Sequence, residues 1–121
     1  MKKKECGSLP TQSRSWILTI SADKYDRDKV ETALEPYTYI GQLERGKGGF
    51  LHWQVLVENE TPIRFSTLKR KLPAAHIEPR RGTVSEAVAY CTKEDSRVDG
   101  EEPLQHGDIP SRDENGRRSD L

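Results

Sequence analysis

His52 and Gln54 stand two residues apart in the run Phe50-Leu-His-Trp-Gln-Val-Leu-Val-Glu58. Successive side chains of an extended chain point to opposite faces, so Phe50, His52, Gln54 and Leu56 share one face and Leu51, Trp53, Val55 and Val57 the other. The second set is wholly apolar and belongs against a core. The first sets an imidazole beside a carboxamide, one pleat apart. Glu44 lies just before a Gly46-Lys-Gly-Gly49 turn, so a hairpin would bring its carboxylate toward His52. A nitrogen, an amide oxygen and a carboxylate oxygen on one open face suit a hard divalent ion such as Mg²⁺ or Mn²⁺. His-x-Gln alone is an ordinary surface pattern, and His76 and His106 have no comparable partner spacing.

A second group lies near the other end of the chain, in Glu86-Ala-Val-Ala-Tyr90-Cys-Thr-Lys93-Glu94. Tyr90, Lys93 and Glu94 fall along one side of a continuing helix, while Ala87, Val88 and Cys91 supply a buried stripe. A cation beside a phenol favours negative charge on its oxygen, and such an oxygen can attack phosphorus. Tyr-x-x-Lys by itself is more often a half-buried tyrosine beside a snorkelling lysine. Together the two groups are more informative, because tyrosine attack on a phosphodiester needs both an activated nucleophile and a neutraliser of phosphate charge.

The elements that must position these groups can be read from the pattern. Ser15 to Ser21 is rich in β-branched and aromatic residues and predicts a strand. Asp26 to Leu34 predicts a short helix closed by Pro36, followed by strands over Tyr37 to Glu44 and Phe50 to Glu58 about the glycine turn. Thr61-Pro62 reads as the start of a basic helix, Ile63 to Leu72. A short strand over Ala74 to Glu78 precedes a capping box, Thr83-Val-Ser-Glu86, that opens a helix to about Thr92. Pro103 to Asp108 reads as a last edge strand. The order β-α-β-β-α-β-α-β predicts an α+β fold, a central five-stranded mainly antiparallel sheet with flanking helices and one face partly open.

The chain has 121 residues, enough for one domain, and a formal net charge of zero. The balance hides a division. Residues 60–82 hold six basic side chains against two acids, whereas residues 94–121 hold nine acids against four arginines. Lys69, Arg70, Lys71, Arg80 and Arg81 form the candidate DNA-binding set, since a local basic patch steers phosphates whatever the total charge. Residues 1–14 and 110–121 are polar and read as flexible tails around a folded part over residues 15–109. Cys6 and Cys91 make no disulfide framework, which favours a reducing, intracellular setting, and no run approaches a membrane span or a signal peptide. The absence of a Gly-x-x-x-x-Gly-Lys-Ser/Thr loop argues against a nucleotide triphosphatase within this stretch.

Three segments resemble, in order, the motifs of the Rep proteins of circular single-stranded DNA viruses, which are HUH endonucleases. Trp16-Ile-Leu-Thr-Ile20 is similar to the first, Leu51-His-Trp-Gln54 to the second and Tyr90-Cys-Thr-Lys93 to the third. His76-Ile-Glu78 and Arg118-Ser-Asp-Leu121 look like the circovirus branch. The resemblance implies an RRM-like palm and a nicking and joining reaction on single-stranded DNA at an origin stem-loop. It makes Tyr90 the nucleophile, Lys93 its stabiliser, and Glu44, His52 and Gln54 the ligands of Mg²⁺ or Mn²⁺. It further implies a helicase domain in the full-length chain, host replication proteins as partners and work in the host nucleus, with Lys2 to Lys4 as supporting basic residues. Ser21 stands where the family often has asparagine, and Gln54 where many members have a second histidine.

Two other readings compete. A noncatalytic module binding single-stranded nucleic acid would share the order of elements, but would stack bases on exposed aromatics, and Trp53 is predicted to face the core. A plasmid-type Rep or relaxase would share the chemistry with a different target. A zinc-binding structural domain is disfavoured, because the cysteines and histidines lack ligand spacing.

Overall fold

A computed structural model of the chain describes residues 11–109. Its elements follow the order β1 (Gln12–Ser21), α1 (Arg27–Leu34), β2 (Thr38–Arg45), β3 (Leu51–Arg64), α2 (Phe65–Lys71), β4 (His76–Pro79), α3 (Val84–Cys91) and β5 (Leu104–His106). The strands form one sheet in the order β4-β1-β3-β2-β5, with every pairing antiparallel. The α+β class and the five-stranded sheet are those predicted.

One face of the sheet holds the main core. Trp16, Leu18 and Ile20 of β1 and Trp53, Val55 and Val57 of β3 are buried there against Val30 and Leu34 of α1, Leu68 of α2 and Leu72 at its C-cap. Each such side chain withdrawn from water stabilises the fold by about 1.5–3 kcal/mol. The two indoles also satisfy their polar atoms: Trp16 Nε1 donates to the Ile63 carbonyl at 3.1 Å and Trp53 Nε1 to the Tyr25 carbonyl at 2.9 Å.

The opposite face is covered in part by α3 and left open toward the hairpin tip, where Phe50 is 52% exposed. Ile17 and Leu56 pack against Val84, Ala87 and Cys91 of α3. Small residues at two of the three helix positions let α3 approach the strands closely, and Gln42, Glu44 and Gln54 on that face are buried. The helix begins as the sequence predicts. Thr83 Oγ1 accepts from the Glu86 backbone N–H at 3.1 Å, and the Thr83 N–H donates to Glu86 Oε1 at 2.9 Å. Such reciprocal bonds satisfy donors that a helix start otherwise leaves unpaired.

Three expectations are corrected. The basic helix does not start at Thr61-Pro62, because β3 continues to Arg64 and α2 begins at Phe65. Pro62 falls where the register between β1 and β3 shifts and residues 59–62 bulge opposite Arg14, a place that asks no ladder bond of proline. The folded part also reaches back into the stretch assigned to the first tail: Gln12 pairs with Arg64 and Ser13 with Ile63. Residues 1–10 and 110–121, where the remaining tail assignments fall, lie outside the described residues. Finally, α3 ends at Cys91 with Thr92 as its cap, so Glu94 is exposed beyond the helix and not aligned with Tyr90 by helical spacing. No helix among the described residues is long and apolar enough to cross a membrane.

Candidate functional site

Strand register brings the first group together. Glu44 lies directly across from His52 between β2 and β3, and Gln42 lies across from Gln54. On the other flank of β3, Ser21 pairs with His52 and Thr19 with Gln54. Gly41 is required beside this row, since a Cβ there would come within 2.2 Å of the Gln54 backbone oxygen. The turn that closes the hairpin uses Gly48 at φ 81°, a conformation that side chains resist.

Cross-strand pairing becomes a polar cluster. His52 Nε2 lies 3.4 Å from Glu44 Oε1, and Glu44 is only 3% exposed. Gln42, also buried, donates through Nε2 to Glu44 Oε2 at 3.0 Å and to the Lys93 carbonyl at 2.6 Å. Gln54 accepts from the Thr19 hydroxyl at 3.3 Å and donates to the Leu18 carbonyl at 3.2 Å. His52 Nδ1 is buried and has no hydrogen-bond partner.

The second group meets the first through α3. The Gln42 bond to the Lys93 carbonyl ties the turn after α3 to the carboxylate that faces His52. Lys93 Nζ lies 4.8 Å from the centre of the Tyr90 ring. Tyr90 is half exposed and borders a cavity of about 310 Å³ with Ile17, Glu78, Arg81 and Glu86. It is the open phenol of the four in the chain. Tyr25 accepts the Ala74 N–H at 2.9 Å, and burial pushes the Tyr37 and Tyr39 phenols above their ordinary value, Tyr39 further under Glu31.

The donors suit the divalent ion that the sequence suggests. Among the described residues no three His, Cys, Asp or Glu side chains converge, so a site here would consist of the Glu44–His52 pair and a carboxamide. An amide oxygen has two lone pairs, and Gln54 commits one of them to Thr19. The unpartnered His52 Nδ1 is a second sign of a polar site with capacity left. Carboxylate, imidazole and amide donors are chemically compatible with Mg²⁺ or Mn²⁺.

The family model described as "putative viral replication protein" matches residues 13–94, more than half of the chain and all of the residues in this cluster. The chain belongs to that family. A master replication protein of subterranean clover stunt virus is 43% identical over 70 residues, covering 58% of this chain and 24% of the relative. Replication-associated proteins of beak and feather disease virus and canary circovirus are both 31% identical, over 67% and 90% of the chain and 29% and 36% of the relatives. The chain thus spans about a quarter to a third of the length of these viral replication proteins.

Within this member of the family, Glu44, His52 and Gln54 share one face, and Tyr90 and Lys93 lie on the segment fastened to it. The five basic residues do not form one patch. Lys69, Arg70 and Lys71 belong to the last turn of α2, on the main-core side of the sheet, where Lys69 Nζ donates to the Ala75 carbonyl, Arg70 is exposed and Lys71 lies over the Tyr37 ring. Arg80 faces the buried Glu58 carboxylate at 3.7 Å, beside the Ser15 hydroxyl that also bonds it. Arg81 is exposed and lines the cavity next to Tyr90. Gln42 lies outside the set of site residues that the sequence predicts. Gln42 shares a pleat face with Glu44 two residues on, so strand alternation carried the signal.

Gln42 offers a direct test of this coupling. Gln42→Glu replaces two donated bonds with acceptors facing a carboxylate and a carbonyl. It is expected to slow any reaction at Tyr90 by about 10–100-fold while single-strand binding changes by less than about threefold. Rates and affinities measured on the same preparation decide; equal loss of both would make the residue purely structural.

Cys91 reports on the packing of α3. Burial, chiefly, and then the Glu44 carboxylate push its thiol from 9.0 up to about 12, with Lys93 partly opposing. A raised folded value favours the protonated form, so its stabilising contribution is complete below pH about 9 and is lost as pH rises toward about 12. The urea midpoint should fall over that window, more steeply in the parent chain than in Cys91→Ala; parallel slopes would contradict the burial.

Proposed function

We propose that this chain is the origin-nicking part of a rolling-circle replication initiator, an HUH-type nuclease that cuts and rejoins single-stranded DNA. The observation that carries the reading is the Gln42 amide, which joins the carboxylate facing His52 to the turn after the Tyr90 helix. A sheet cluster and an exposed phenol are thereby held in one unit.

In this reading the Tyr90 oxygen attacks the scissile phosphorus. A new P–O bond to tyrosine forms as the bond to the 3′ oxygen breaks; the phenol gives up its proton and the departing 3′ oxygen takes one. The products are a 5′-phosphotyrosine and a free 3′-hydroxyl, and attack by that hydroxyl reverses the step and seals a strand. Lys93 stabilises negative charge on the phenol oxygen. Glu44, His52 and Gln54 would hold Mg²⁺ or Mn²⁺, which when bound neutralises charge on the non-bridging phosphate oxygens. Gln42 fixes the Glu44 carboxylate, and Thr19 orients the Gln54 amide. Arg81 and the cavity beside Tyr90 offer a path for the strand. A helicase domain in the full-length protein, host replication partners and the host nucleus belong to the same proposal.

The experiment is incubation with Mn²⁺ and hairpin oligonucleotides carrying randomised single-stranded loops, followed by a denaturing gel. A protein band shifted by attached DNA is expected. Tight binding with no covalent band would favour a noncatalytic single-strand-binding module.

A further inference from the structure

Two large apolar side chains stand out into water among the described residues, Phe50 at 52% and Tyr90 at 50% exposure. Tyr90 has a place in the proposed chemistry. Phe50 has none, and it joins neither cluster of packed apolar residues. It follows the glycine turn at the tip of the hairpin, two residues before His52. Its ring lies over the His52 imidazole, with centroids 5.8 Å apart and planes inclined by 24°. Part of one ring surface is therefore engaged with a residue of the site while half of the side chain meets solvent. Arg45 and Lys47 flank it on the same hairpin and are exposed. Nothing lies within 4 Å of where side chains at Gly48 and Gly49 would begin, so the approach over the turn is clear.

We propose that Phe50 is a stacking platform for one unpaired base of the bound strand, next to the phosphate presented to the Glu44–His52 pair. The inference rests on the nuclease reading and names a base-binding position within it. A nucleobase suits the position better than an apolar peptide. The ring is already part of a near-parallel stack, every base has a π-face to extend it, and the flanking cations match a phosphate backbone. In this arrangement Phe50 sets the register of the strand, and so which phosphate Tyr90 meets.

The test uses the full chain carrying Tyr90→Phe, so that binding is read without cleavage. Fluorescein-labelled single strands about 20 nucleotides long are titrated against it with and without Phe50→Ala, Phe50→Trp or Phe50→Leu. An abasic residue is then walked along the tightest-binding strand. Phe50→Ala is expected to weaken binding by about five- to a hundredfold, Phe50→Trp to preserve it and Phe50→Leu to fall near alanine. One abasic position should cost the Phe50 protein a comparable factor and the Phe50→Ala protein nothing further. Binding indifferent to Phe50→Ala, Phe50→Leu matching phenylalanine, or additive abasic penalties at every position would overturn the proposal. The two readings fail separately. A covalent band with unchanged Phe50→Ala binding removes the platform and leaves the nuclease, whereas a Phe50-dependent abasic penalty with no covalent band from the parent removes the nuclease and leaves the platform.

Discussion

Tyr90→Phe is expected to abolish covalent attachment to DNA, lowering adduct formation by on the order of 10⁴-fold or more, while single-strand affinity stays within about threefold. The substitution removes one oxygen from a half-exposed ring and leaves the ring's contact with Lys93 available. No other tyrosine is placed to substitute. Tyr25 is hydrogen-bonded to the backbone at Ala74, and burial raises the Tyr37 and Tyr39 phenols above their ordinary value. The fold should be unaffected, because Tyr90 is not among the buried residues that hold α3 to the sheet. An undiminished adduct in Tyr90→Phe would reject the assigned nucleophile.

The second large effect is expected at Glu44. Glu44→Gln keeps the size of the side chain but removes the charge that faces His52 from a site only 3% exposed. If this carboxylate holds a divalent ion, adduct formation at low Mn²⁺ should fall by about 100-fold or more, since even residues that merely orient a ligand alter metal affinity by about 10–100-fold. Raising Mn²⁺ should recover part of the loss, and His52→Ala should behave similarly. Chelation should stop the parent reaction, and added Mg²⁺ or Mn²⁺ should restore it. A Glu44→Gln protein that works normally at limiting Mn²⁺ would show that the pair serves the fold alone.

Much of this arrangement was legible because strands and caps write simple periodic signals. Alternation put Trp53 toward the core and His52 and Gln54 on the other face, and the glycine turn placed Glu44 opposite His52. The Thr83–Glu86 box located the start of α3 because both of its bonds are local. Features that depend on distant partners were harder to read. Pro62 looked like the first residue of a helix, yet it sits in a bulge made possible by the early end of pairing with β2, a fact that local sequence does not encode. The basic residues looked contiguous along the chain, but the turn between α2 and β4 places them on different sides of the sheet. Gln42 acquires its role only when α3 folds across the strands and brings the Lys93 carbonyl to it. Phe50 belongs by alternation to the site face, but its exposure depends on where α3 stops covering that face.

Locating the attached DNA on the protein distinguishes a tyrosine nuclease from a strand-binding module. The parent chain is reacted with Mn²⁺ and the loop library, the adduct is digested with nuclease and trypsin, and the modified peptide is sequenced by mass spectrometry. A nucleotide phosphate joined to Tyr90 alone is expected. A phosphate on Tyr25, Tyr37 or Tyr39, or no modified tyrosine from a protein that binds the strands, would contradict it.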